Sequence, residues 1–165
     1  MPFSLLPTMQ TESIVELTPQ RLAQRGIKLL MLDFDNTIRP YTTDRPTEEM
    51  AAWLQEMVTS EIALCVVSNS HRDRVKIFCK QYGIDCVTHA KKPFGKGIRA
   101  CLSRYGLKAA DCAIAGDQIF TDTLGGNCAG VQTILVTPIC NHNFWLRARH
   151  ALEQPFIYAA RKRRV

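Results

Sequence analysis

Two kinds of hydrophobic pattern alternate along the chain. Five short runs are apolar almost throughout: "IKLLMLD" (27–33), "IALCVVSN" (62–69), "DCVTHA" (85–90), "DCAIAGD" (111–117) and "VQTILVT" (131–137). Such runs predict strands of a sheet covered on both faces, as parallel sheets are. Between them, apolar positions recur at helical spacing. "RPTEEMAAWLQEMVTS" sets Met50, Trp53, Leu54, Met57 and Val58 on one face, with Pro46 near its start. "HRDRVKIFCKQYG" and "GKGIRACLSRYG" read as helices stopped by Gly83 and Gly106, and "FTDTLGGNCAG" as a loop and helix. "TPQRLAQRG" reads as a short helix with Thr18 as N-cap, Pro19 at the first position and Gly26 as the stop. Residues 1–18 read as an irregular lead-in.

Strands alternating with helices imply repeated βαβ units, hence an α/β fold with one doubly wound, parallel five-stranded sheet. A length of 165 residues suits a single domain with a real core. The organisation expected is a domain over residues 1–140, including the lead-in 1–26, followed by a basic, aromatic segment over 141–165.

Composition adds little to this picture, since 46% hydrophobic and 22% charged residues are ordinary globular values. The apolar runs are too short to span a bilayer, and "MPFSLLPTMQTES" lacks the basic start of a signal peptide. Both points favour the cytoplasm. The seven cysteines are nowhere closer than seven residues, so no C-x-x-C pair exists for zinc or redox work. Cys65 and Cys112 sit inside apolar runs and read as buried thiols. Charge is more informative. Of the net +6, +5 falls in residues 141–165, where arginines interleave with Phe144, Trp145, Leu146, Leu152, Phe156, Ile157 and Tyr158. This tail reads equally as a helix packed on the domain and as a segment lying on an anionic membrane. Nucleic acid is the weaker alternative for the same basic run.

The polar residues that follow the apolar runs carry the chemistry. Asp33-Phe34-Asp35-Asn36-Thr37 follows the first run, Ser68-Asn69-Ser70 the second, His89-Ala90-Lys91-Lys92-Pro93 the third, and Gly116-Asp117 with Asp122 the fourth. In a parallel sheet all these loops open on one edge, where ligands bind. One site would then hold several carboxylates, a hydroxyl, an amide and a lysine. Crowded carboxylates are costly unless a cation sits among them. Mg²⁺ prefers such hard oxygen ligands. A lysine and neutral donors orient phosphoryl oxygens. One carboxylate can attack phosphorus, and a second can move the protons.

Asp-x-Asp-x-Thr, Ser, Lys-Pro and Gly-Asp-x-x-x-x-Asp occur in this order at successive strand ends. They resemble the motifs of the haloacid-dehalogenase (HAD) phosphatase superfamily. More closely, "LTPQRLAQRGIKLLMLDFDNTIRP", "VVSNS", "AKKPFGKGI" and "GDQIFTDTLGGNCAG" resemble the YqeG family of HAD subfamily IIIA, over roughly residues 5–145. The resemblance implies a Mg²⁺-dependent phosphomonoesterase, related to phosphatidylglycerophosphate phosphatases. It implies that Asp33 is the nucleophile and a metal ligand, and that Asp35 is the acid/base and binds the metal through its carbonyl. Thr37 would support the loop. Ser68, Asn69 and Lys92 would hold the phosphoryl group, with Asp117 and Asp122 completing the metal site. The gaps from Thr37 to Ser68 and from Ser70 to Lys92 leave no room for the cap domain that many HAD enzymes carry.

Simpler readings stand beside several of these. Asp122 suits an ordinary helix start, and Ser68 a helix cap. Lys91, which does not precede proline, reads as a solvated charge. Gly125-Gly126 is costly inside a helix and points to close backbone approach near the active-site loops. The substrate expected is a phosphate ester, with phosphatidylglycerophosphate at the inner membrane surface first. A soluble ester or phosphoprotein is the alternative, and a non-catalytic interaction protein on the same fold is the third.

Overall fold

A computed structural model describes residues 4–38, 45–70, 73–139 and 144–160, with the backbone alone over 144–150. The five apolar runs form β2 (Leu29–Leu32), β3 (Ala63–Val67), β4 (Asp85–Val87), β5 (Cys112–Gly116) and β6 (Gln132–Val136). A sixth strand, β1 (Met9–Thr11), lies inside the stretch read as an irregular lead-in. The sheet therefore has six strands rather than five, in the order β1-β6-β5-β2-β3-β4, and every pairing is parallel. Two of the three residues of β1, Gln10 and Thr11, are polar, so no apolar pattern marks it. It is an edge strand held by its ladder to β6, with Met9 opposite Ile134 and Thr11 opposite Val136.

Helices cover both faces. Leu30 and Leu32 of β2, with Leu64 and Val66 of β3, pack in one core cluster with Trp53, Leu54 and Met57 of α2 (Glu48–Thr59) and with Val75 and Phe78 of α3 (Asp73–Tyr82). Leu29 and Met31, with Cys65 and Val67, turn the other way and pack with Ile98 and Cys101 of α4 (Lys96–Tyr105). The alternation along each strand splits an apolar run between two cores. The first helix, α1 (Pro19–Gln24), is capped by the Thr18 hydroxyl, which accepts from Arg21 N. Val58 departs from expectation. It is 40% exposed, because it lies past the edge of the arc set by Met50, Trp53, Leu54 and Met57. The buried Cys112 thiol is pushed up to about 11 by desolvation.

The segment read as a loop before the fifth helix is a π-helical turn, Ile119–Thr123, running into α5 (Leu124–Ala129). The double glycine fits close packing there. A Cβ on Gly125 would fall 3.3 Å from the Pro93 backbone of the loop carrying Lys92, and one on Gly126 would fall 2.4 Å from Thr133 Cγ2. In the C-terminal segment, α6 (Phe144–Ala159) packs against this turn and β1. Phe156 meets Phe120 edge-on at 6.3 Å, and Gln10 Nε2 donates to Ile157 O. Leu152 and Tyr158 face solvent. Cys140 and the basic run Arg161–Arg164 lie outside the described residues. No helix among the described residues is long and apolar enough to cross a membrane. Among them, a single helix separates β2 from β3 and another separates β3 from β4, so neither gap holds a cap domain.

Candidate active site

The chain runs β2, β3, β4 to one side of the sheet and then returns to β5 on the other side of β2. Strand order reverses between β2 and β5, and crevices open at the carboxyl ends of strands flanking such a switch. Asp33 and Asp117 stand there. Asp33 extends β2 by one residue, donating its N–H to Ala115 O. Asn36 turns the chain with φ +64, a conformation its short amide tolerates, and its Nδ2 donates to Asp117 Oδ2 at 3.3 Å. Asp122 hangs from the π-helical turn and accepts from Gln118 N at 3.2 Å. A Cβ on residue 116 would sit 2.4 Å from Asp122 Cγ, so glycine is what lets this carboxylate close on β5.

Asp33, Asp117 and Asp122 are all buried, and carboxylate oxygens from the three lie within 4.8 Å of one another. Lys92 bridges two of them. Its Nζ stands 2.6 Å from Asp33 Oδ1 and 2.6 Å from Asp122 Oδ1. Burial pulls the Lys92 ammonium down, but Asp122 and Asp33 outweigh it and hold its pKa above the ordinary lysine value. Desolvation lifts the Asp33 carboxyl from 3.8 to about 7, with Lys92 opposing and Asp122 and Asp35 adding. Three carboxylates against one lysine leave a surplus of negative charge. Three oxygen donors with surplus charge suit a hard divalent cation, which would relieve that excess.

The other expected residues line the same cleft, of about 320 Å³. Ser68 is buried, and its hydroxyl accepts from Ser70 N at 3.0 Å. Asn69 lines the cleft but spends both ends of its side chain elsewhere: Oδ1 accepts from Lys92 N at 2.8 Å, and Nδ2 donates to Lys92 O. Its amide thus fixes the lysine rather than facing the cleft's centre. Asp35 is partly open and is paired with Arg74. Thr37 is buried, and its hydroxyl has no hydrogen-bond partner, so the loop support expected of it is not a hydrogen bond.

Two participants escaped the sequence reading. Arg74 sits in the first turn of α3, its guanidinium 5.8 Å from the Phe34 ring centroid. The signal was available: a helix that leaves the edge where the motifs gather presents its first turn to them. Glu153 of α6 is buried, and its Oε1 accepts from Ile119 N at 2.9 Å and Phe120 N at 3.4 Å. It is the lone acidic residue in an otherwise basic segment.

The chain as a whole is similar to known proteins. The chain is 34% identical over 159 residues to "Probable phosphatase YqeG" of Bacillus subtilis, covering 96% of this chain and 92% of that one. It is 25% identical over 163 residues to phosphatidylglycerophosphate phosphatase 1, chloroplastic/mitochondrial, of Arabidopsis thaliana, of which it spans 44%. Among solved structures, the cobalt-bound form of the deoxy-D-mannose-octulosonate 8-phosphate phosphatase of Haemophilus influenzae superposes with a TM-score of 0.55. The identity is 11%, over 82% of this chain and 90% of that one, a likeness of fold. That fold is shared with HAD-superfamily hydrolases. The family described as mitochondrial PGP phosphatase matches residues 1–140, and the chain belongs to this family of phosphatases.

Proposed function

We propose that the enzyme hydrolyses a phosphate monoester through a covalent phosphoryl-Asp33 intermediate, with Mg²⁺ as cofactor. One observation carries this reading: Asp33, Asp117 and Asp122 converge at the switch point, with Lys92 bridging Asp33 and Asp122, and with more negative charge than the lysine offsets. Asp33, Asp117 and Asp122, with the Asp35 carbonyl, would hold the ion. Bound there, Mg²⁺ would offset the carboxylates and the charge on the phosphoryl oxygens. Asp33 attacks phosphorus, forming a bond to its carboxylate oxygen as the bond to the leaving alcohol oxygen breaks. Asp35 gives that oxygen a proton, then takes one from the water that attacks phosphorus and releases Asp33 and inorganic phosphate. Ser68 donates to the phosphoryl oxygens. Lys92 holds Asp33 and Asp122 in register, and Asn69 fixes Lys92, which revises Asn69 from a phosphate ligand to a positioning residue.

The substrate proposed is phosphatidylglycerophosphate, met by a peripheral enzyme at the membrane surface. The family match and the Arabidopsis relative support it. So does a site without a cap domain, open to an ester fixed in a bilayer. Phe94 adds to this, being 78% exposed on the loop after Lys92, between the exposed Lys91 and Lys96. The test is a metal-dependent activity screen of phosphatidylglycerophosphate in mixed micelles against soluble phosphate esters. The lipid should give the highest kcat/KM, and chelation should abolish turnover. Asp33→Asn should lower turnover of every ester by at least 10³-fold. A soluble ester or phosphoprotein leading the screen would overturn the lipid assignment, and activity surviving Asp33→Asn would remove Asp33 as nucleophile.

A further inference from the structure

Arg74 enters the cleft from α3, outside the four motifs. Its Nη2 donates to Asp35 Oδ1, and its side chain is 20% exposed. Its Nε is buried and makes no hydrogen bond. Among the described residues, Lys92 and Arg74 are the cations lining the cleft. Lys92 is 2% exposed and committed to two carboxylates at 2.6 Å. Arg74 is thus the cation with donor capacity to spare. A guanidinium presents a planar fork that matches two oxygens of a phosphoryl group at once. A buried donor left unmatched is costly, so an arriving acceptor would be welcome there.

Position decides which acceptor. Asp33 and Lys92 mark where the transferred phosphoryl group sits. Asp35, in the reading above, meets the oxygen of the departing alcohol. Arg74 is held against Asp35, and so stands on the alcohol's side of the cleft. We propose that Arg74 forms a subsite for a second anion, a phosphodiester or phosphomonoester carried on the leaving alcohol. The enzyme would then select esters bearing two phosphoryl groups. On binding, the second anion takes the guanidinium fork, and Asp35 Oδ1 is released toward the leaving oxygen. No covalent bond changes in this exchange. The subsite rests on the roles given to Asp33 and Asp35. Phosphatidylglycerophosphate belongs to the class, since a phosphodiester lies on the alcohol side of its terminal phosphate.

Binding separates this proposal from the catalytic one. Calorimetry on Asp33→Asn protein with Mg²⁺ would compare glycerol 3-phosphate with glycerophosphoglycerophosphate, the deacylated headgroup, and with the intact lipid in mixed micelles. The headgroup should bind at least tenfold more tightly than glycerol 3-phosphate. Adding Arg74→Gln should shrink that ratio below threefold, while Arg74→Lys should keep part of it, with melting curves confirming that each variant is folded. Equal affinities with Arg74 present, or a ratio that Arg74→Gln leaves intact, would overturn the subsite. A ratio that collapses for the micellar lipid alone would also overturn it, because Arg74 would then be reading the lipid surface. Activity surviving Asp33→Asn in a parallel assay would instead count against the nucleophile, and the binding ratio would then be read with the metal chelated, where turnover stops.

Discussion

Asp33 is a residue whose burial and whose proposed task as nucleophile pull in opposite directions. A nucleophile must be ionised, yet desolvation lifts its carboxyl to about 7 without a metal. A carboxyl raised above its unfolded value of 3.8 binds its proton more tightly in the folded state. Its contribution to stability is therefore full below the unfolded value and is lost as pH rises through about 7. Chelated protein should show a melting temperature that falls between pH 5 and 8. Asp33→Asn should flatten that fall, and Mg²⁺ should recover most of it in the wild type alone. An identical fall in both proteins would place the titration elsewhere. At this scale the strand-end carboxylates, Ser68 and Lys92 were legible because their side-chain types are costly where the pattern puts them. Asn69 was legible as a residue of the cleft but its bonds to the Lys92 backbone were not, since an amide at a strand end does not disclose what each end faces. Arg74 was passed over, although its place in the first turn could have marked it, because α3 announces itself through Val75 and Phe78, and its polar first turn reads as solvent-facing.

Elements carry the site's precision. The π-helical turn Ile119–Thr123 presents Asp122 to Lys92, and its first two N–H groups are satisfied by Glu153 of α6. A helix starting without such an acceptor leaves buried donors unmatched. Glu153→Ala should cost about 1–3 kcal/mol in denaturant unfolding. It should also weaken Mg²⁺ affinity about tenfold or more, as loss of a supporting contact around a metal site does. Glu153→Gln, which keeps an acceptor, should restore most of both. Unchanged hydrogen exchange at Ile119 and Phe120 in the alanine variant would show that the contact does not hold the turn. The central strands and long helices were readable from periodicity, because burial dictates it. β1 was not, because an edge strand of three residues is specified by its partner β6 rather than by its own pattern. The turn was missed for the same reason: its acceptor comes from a residue some thirty positions later.

On the scale of the whole molecule, the sheet's switch point collects the carboxylates, and α6 ties the C-terminal segment to them. That tie changes how the basic tail is to be tested. Removing the entire segment would remove Glu153 and disturb the turn under Asp122, so lost activity would say nothing about membranes. Ending the chain at Ala160 is cleaner. It deletes Arg161, Lys162, Arg163 and Arg164, takes the net charge from +6 to +2, and leaves α6 whole. Each basic residue near an anionic surface contributes about 1 kcal/mol of attraction. Sedimentation with vesicles rich in anionic lipid should show binding weakened by at least tenfold. The loss should be largest at low salt, where screening is least. Turnover of a soluble ester should persist, since the deleted residues lie beyond the helix that braces the site. Undiminished vesicle binding would move the membrane contact away from the tail, and Phe94→Ser would then show whether the loop beside Lys92 supplies it.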